Sequence, residues 1–188
     1  MAFRYVALVT TLLFSIVSAQ VFSLGGCPDI TVKQNFNQNE YVGTWYEIEK
    51  FPNTFERGQK CIQATYDVKD SGAFTVKNDA IIAESGEPKS IEVEVFEVDE
   101  VDNAKMKLRF AWWLSASNYW VLDTDYNQYA VVYSCHDMFG LVRMQYAWIL
   151  GRERTMDDRV ITNLKTHLNE MGLDTTKFQK TDQTGCEN

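Results

Sequence analysis

Ile62-Gln63-Ala64-Thr65-Tyr66-Asp67-Val68, then Lys69-Asp70-Ser71-Gly72, then Phe74-Thr75-Val76-Lys77, is the stretch that decides the fold. Ile62, Ala64, Tyr66 and Val68 fall on one face, and Gln63, Thr65 and Asp67 on the other. A period of two is that of a strand with one buried and one wet face. The four residues between the runs are turn formers. The stretch therefore predicts an antiparallel hairpin. The pattern repeats outward along the chain. Ile91, Val93 and Val95 alternate with Glu92 and Glu94, and Met106, Leu108, Phe110 and Trp112 with Lys105, Lys107 and Arg109. Val142, Met144, Tyr146, Trp148 and Leu150 stand opposite Arg143 and Gln145. Turn-rich segments at 84–88 and 99–103 separate these runs. Segments 119–123 and 129–135 are apolar on both faces, and with 44–50 they complete eight strands.

One helix follows the strands. Thr155-x-x-Asp158 resembles a capping box. Val160, Ile161, Leu164, Leu168 and Met171 recur at helical spacing, and Gly172 can end the helix. A single apolar stripe packs such a helix on the outside of a sheet. The predicted class is all-β: an eight-stranded antiparallel up-and-down barrel with one C-terminal α-helix packed outside. Eight strands close around an interior just wide enough for one small ligand. A barrel filled by its own side chains fits the patterning equally well.

Arg4, the apolar run that follows it and Val17-Ser18-Ala19 form the pattern of a signal peptide over residues 1–19. That predicts a secreted, extracellular protein with one domain over 20–188. A net charge of −8 argues against nucleic acid as a partner. Cys27, Cys61, Cys135 and Cys186 imply two disulfides with three possible connectivities. No Cys-x-x-Cys occurs, so no metal site is expected. The two histidines, His136 and His167, suggest no Ser-His-Asp arrangement, and the chain does not read as an enzyme.

Three motifs stand in order along this all-β pattern: Tyr41-Val42-Gly43-Thr44-Trp45-Tyr46-Glu47-Ile48, Thr124-Asp125-Tyr126, and Ala147-Trp148-Ile149-Leu150-Gly151-Arg152. Together they resemble the three signature regions of the lipocalins. Tyr46 to Pro52, Cys61 to Ala64, Asn118 to Leu122 and Tyr129 to Cys135 are similar to the apolipoprotein D-like branch, with its Lazarillo and bilin-binding insect relatives. The resemblance implies that Gly43, Trp45, Thr124, Asp125, Tyr126 and Arg152 hold the fold, with Arg152 able to stack on Trp45. It implies the pairing Cys27–Cys135 and Cys61–Cys186. It also implies an open mouth framed by loops 51–60, 84–89, 114–118 and 135–141.

The resemblance implies as cargo a small hydrophobic molecule such as a fatty acid, sterol or retinoid, with no required cofactor. Biliverdin or a carotenoid pigment is the alternative occupant. Tyr66, Phe74, Val93, Val95, Leu108, Phe110, Trp112, Met144, Tyr146 and Trp148 are the expected wall. Glu47 should point inward, either as a polar ligand anchor or as a satisfied structural acid. Asn53, with Lys50, lies near the expected mouth. The loop Met138-Phe139-Gly140-Leu141 is apolar enough to touch a lipoprotein or membrane surface.

Overall fold

The computed structural model describes residues 20–69, 74–109 and 116–186. The expected signal peptide lies outside these residues, as do Phe110 and Trp112. The described strands are β1 (Val21–Leu24), β2 (Gly43–Lys50), β3 (Gln59–Val68), β4 (Phe74–Ile82), β5 (Pro88–Val98), β6 (Lys105–Arg109), β7 (Ser117–Thr124), β8 (Tyr129–Met138), β9 (Val142–Gly151) and β10 (Gln179–Lys180). From β2 to β9 they pair antiparallel in chain order, and β9 pairs back onto β2. Eight strands thus close into the expected barrel. Two strands go beyond it: β1 pairs with the mouth half of β9, and β10 with the mouth end of β2. Strand β8 runs on to Met138, so the fourth mouth loop is only 139–141 rather than 135–141.

Two contacts fix which face is inside. Cys135 is bonded to Cys27 of the N-terminal segment. Glu49, in register with Ile149, pairs with Lys165 of the C-terminal helix at 2.5 Å. Cys135, Glu49 and Ile149 therefore face outward. Their neighbours Ser134, His136 and Trp148 face the lumen, because side chains alternate along a strand.

A short helix, α1 (Gln38–Tyr41), precedes β2. The C-terminal helix is α2 (Asp158–Glu170), which buries Ile161, Leu164 and Leu168 as one stripe. Its N-cap is Asp157, whose carboxylate accepts from the Arg159 N–H at 2.8 Å, and not Thr155 of the expected capping box. A carboxylate at this end also meets the positive end of the helix dipole, which favours it over a hydroxyl. Met171 falls at the C-cap rather than inside the helix, and Gly172 leaves it at φ +87°.

The disulfides are Cys27–Cys135 and Cys61–Cys186, and no described cysteine is free. They close separations of 108 and 125 residues. In the chain-entropy picture each stabilises by about 4–5 kcal/mol. Iodoacetamide should therefore label no cysteine in the native protein, and all four after reduction in denaturant. One labelled cysteine before reduction would contradict this pairing.

Candidate functional site

The closed end is built first. Asp125 Oδ1 accepts from the backbone N–H groups of Asn127, Gln128 and Tyr129, at 2.8–3.1 Å, and fixes the β7–β8 turn. Thr124 Oγ1 donates to the Tyr129 carbonyl at 2.7 Å and accepts from Tyr126 N–H. That turn aims the Tyr126 carbonyl at Arg152 Nε, 2.9 Å away. The same guanidinium donates to the carbonyls of Thr44 and Glu40, and its carbon sits 3.7 Å from the Trp45 ring centroid. Gly43 has φ +93°, and a Cβ there would come within 3.3 Å of Arg152 Nη1. Trp45 is fully buried, and its indole N–H donates to the Tyr41 carbonyl. One cation thus ties together the three sequence motifs.

Inside this floor sits a chain of three phenols. Tyr119 Oη lies 2.5 Å from Tyr66 Oη and 3.2 Å from Tyr41 Oη. Burial pushes all three above the usual phenol range, Tyr66 to about 12, so they remain protonated links. Phe74 stacks on Tyr66, with centroids 5.8 Å apart. Val93, Val95 and Leu108 are buried on the same inner rows.

The rows open towards the mouth. Trp45, Ala64, Asn78 and Ile91 are successive partners across β2 to β5 and share the inner face. Trp45 at the floor is 0 % exposed, whereas Ile91 near the mouth end of β5 is 44 % exposed. On the opposite wall, Tyr146 and Trp148 stack at 6.0 Å and 14°. Phe55 of the β2–β3 loop leans over both, at 5.5 and 6.5 Å. Met144 and His136 stand cross-strand above them, and burial lowers the His136 pKa.

A charged network joins this wall to the loop. Lys50 Nζ lies 2.8 Å from Glu47 Oε1 and 2.9 Å from Glu56 Oε2. Glu56 Oε1 accepts from the Trp148 indole N–H at 3.2 Å, and Glu47 accepts from the Thr181 hydroxyl at 2.6 Å. Glu47 is 2 % exposed, and burial with the nearby Glu56 raises its pKa to about 7, against the pull of Lys50 and Thr181. Burial would lower the Lys50 pKa, but the two carboxylates outweigh it and the net shift is upward. One ammonium faces two carboxylates, so the surplus negative charge is shed through Glu47, the more buried acid.

Of the residues expected at the ligand, Met144, Tyr146 and Trp148 gather near the mouth. Tyr66 and Phe74 belong to the packed floor. Glu47 points inward but is satisfied by protein partners. Asn53 bonds to Glu56 and the Phe51 carbonyl, so its amide is used within the loop. Sequence reading put Phe55, Glu56 and His136 only within the ranges of the mouth loops, without singling them out, and did not place Tyr119 or Ile91 in the site. Inward parity on β5 and β8 would have found Ile91 and His136. Nothing local marks Glu56 or Phe55, because a loop has no period. Among the described residues no group of His, Cys, Asp or Glu is placed to hold a metal ion. No described helix is long and apolar enough to cross a membrane.

A closed antiparallel barrel with a stapled floor and an aromatic-walled mouth is an architecture suited to holding a small ligand inside. Residues 36–183 match the lipocalin-like domain model. The chain is 42% identical to apolipoprotein D of Macaca fascicularis, over 93% of this chain and 91% of that protein. It is 30% identical to the Lazarillo protein of Schistocerca americana, over 89% and 79%. Insecticyanin of the tobacco hornworm Manduca sexta superposes with a TM-score of 0.76 at 26% identity, covering 89% of this chain and 91% of that one. The chain belongs to the lipocalin family. It is accordingly a binding and transport protein for small hydrophobic molecules, and not an enzyme.

Proposed function

We propose that the protein is an extracellular carrier of a single lipophile, of the fatty-acid, sterol or retinoid kind, held in the mouth half of the barrel. The observation that carries this reading is the gradient along the inner rows, fully buried at Trp45 and open at Ile91. A floor that excludes water beneath an apolar, partly open wall favours burying an apolar molecule there, at roughly 25 cal/mol per Å². Trp148, Tyr146, Met144, Ile91 and Phe55 form that wall. The signal-peptide pattern and the two disulfides support secretion. The exposed tip Phe139 supports contact with a lipoprotein or membrane surface.

Titration with retinol or a C18 fatty acid should quench tryptophan fluorescence, with saturation at one ligand per chain. Trp148→Ala should weaken that binding about tenfold or more, the equivalent of losing part of a buried aromatic contact. Trp45→Phe, far below the wall, should leave the affinity within about twofold. Absence of any saturable quenching, together with no bound small molecule in native mass spectra of protein from its own source, would rule the reading out. A coloured protein from that source would name a pigment as the cargo.

A further inference from the structure

The mouth has one corner unlike the rest. Along β9 the inner row is Trp148, Tyr146, Met144 and Val142, and the register carries it sideways without interruption. His136 and Phe22 lie on either side of Met144, and Met138 and Leu24 on either side of Val142. Paired residues share a face of the sheet. The lumen wall therefore continues past the barrel rim as a three-stranded apolar strip. Exposure climbs along it, from buried Tyr146 and half-buried Met144 to Phe22 at 49 %, Leu24 at 85 % and, at the hairpin tip, Phe139 at 98 %.

The tip residue opposes folding twice over. Phe139 has φ +60° and Gly140 φ +70°, and Leu141 N–H closes the turn on the Met138 carbonyl. Both central residues of such a turn favour Asn or Gly. A phenylalanine in the left-handed region is strained, and here its ring gains nothing from burial. The flanking charges, Asp137 and Arg143, pair on the opposite face of the strands and are engaged there. Asp137 accepts from Cys27 and Gly140 N–H, and Arg143 donates to the Gly26 carbonyl. The strip is left uncharged apart from His136, on a chain whose net charge of −8 repels anionic surfaces.

We propose that this β1–β9–β8 corner is a loading ramp, along which cargo passes directly between the barrel and a zwitterionic lipid surface. The proposal rests on the carrier reading above and adds its route of exchange. A lipid surface is the occupant that fits, because the strip is continuous with the lumen and offers apolar side chains without charges.

The test is transfer kinetics. The full chain is loaded with a fluorescent fatty acid and mixed with phosphatidylcholine vesicles that carry a quencher. The transfer rate should rise in proportion to vesicle concentration, as collision requires. Leu24→Ser and Phe139→Asn should each slow transfer about five- to tenfold, with the affinity for the probe unchanged. Phe139→Asn should melt at or above the parent temperature, since asparagine suits the turn, which separates lost docking from lost folding. A rate independent of vesicle concentration, variants that transfer as fast as the parent, or a solution dimer that covers Leu24 and Phe139 would overturn the ramp and leave the carrier reading standing. A chain that takes up no lipophile at all would overturn both.

Discussion

Trp45→Ala is expected to lower the unfolding free energy by about 4–7 kcal/mol, read as a fall in the urea midpoint. Deleting a fully buried tryptophan ring costs about 3–5 kcal/mol, through lost transfer energy and the cavity left behind. The Arg152 guanidinium then loses the face on which it lies at 3.7 Å, worth about 1–2 kcal/mol more. Small domains are stable by about 5–15 kcal/mol, so the variant should be partly unfolded at 37 °C. Trp45→Phe keeps a ring under Arg152 and loses the indole bond to the Tyr41 carbonyl. Its deficit should be about 1–2 kcal/mol. If the alanine variant were as stable as the phenylalanine variant, Trp45 would not be the plug of the floor.

Lys50→Met should destabilise strongly and in a pH-dependent way. It leaves the Glu47 and Glu56 carboxylates together with no cation between them, and breaking such a buried set costs about 3–5 kcal/mol. Burial, with Glu56 close by, pushes the Glu47 carboxyl up from the ordinary 4.5 to about 7 in the folded protein. The stability linked to that group is therefore fully present below about pH 4.5 and is lost as pH rises through about 7. In the variant the same proton relieves the repulsion with Glu56. The gap in urea midpoint between parent and variant should be wide at pH 8 and clearly narrower at pH 5. An equal gap at both values would mean that Glu47 is not the acid that takes up the proton.

The barrel was legible because its signal is local and repeated. Alternation at 62–68, 91–95, 105–109 and 142–150 needs only the chain's own neighbours to define two faces, and those faces are the ones that became lumen and surface. The helix was legible in the same way, though its cap moved from Thr155 to Asp157, because both residues suit the position and spacing does not choose between them. Strands β1 and β10 were not legible. Each is short, and each owes its conformation to a remote partner, Val142 to Gln145 in one case and Glu49 to Lys50 in the other.

The polar side of the site shows the same limit. Strict alternation puts Lys50 on the opposite face from Glu47. The register between β2 and β9 shifts between Glu47 and Glu49, so Glu47 opposite Leu150 and Lys50 opposite Trp148 point the same way. That shift brings the ion pair inside. It leaves Glu47 a satisfied acid, where sequence reading had left it open between that role and a ligand anchor. By itself the sequence determined the eight barrel strands, their faces, the helix and the family, because these follow from periods and motifs within short windows. Only the tertiary structure decided that the barrel is sealed at Trp45 and open at Ile91, and that Lys50 lies between two acids. It also decided that Phe22 and Leu24 extend the lumen wall beyond the rim. Each of these depends on which remote residue fills the space opposite, and no local period carries that information.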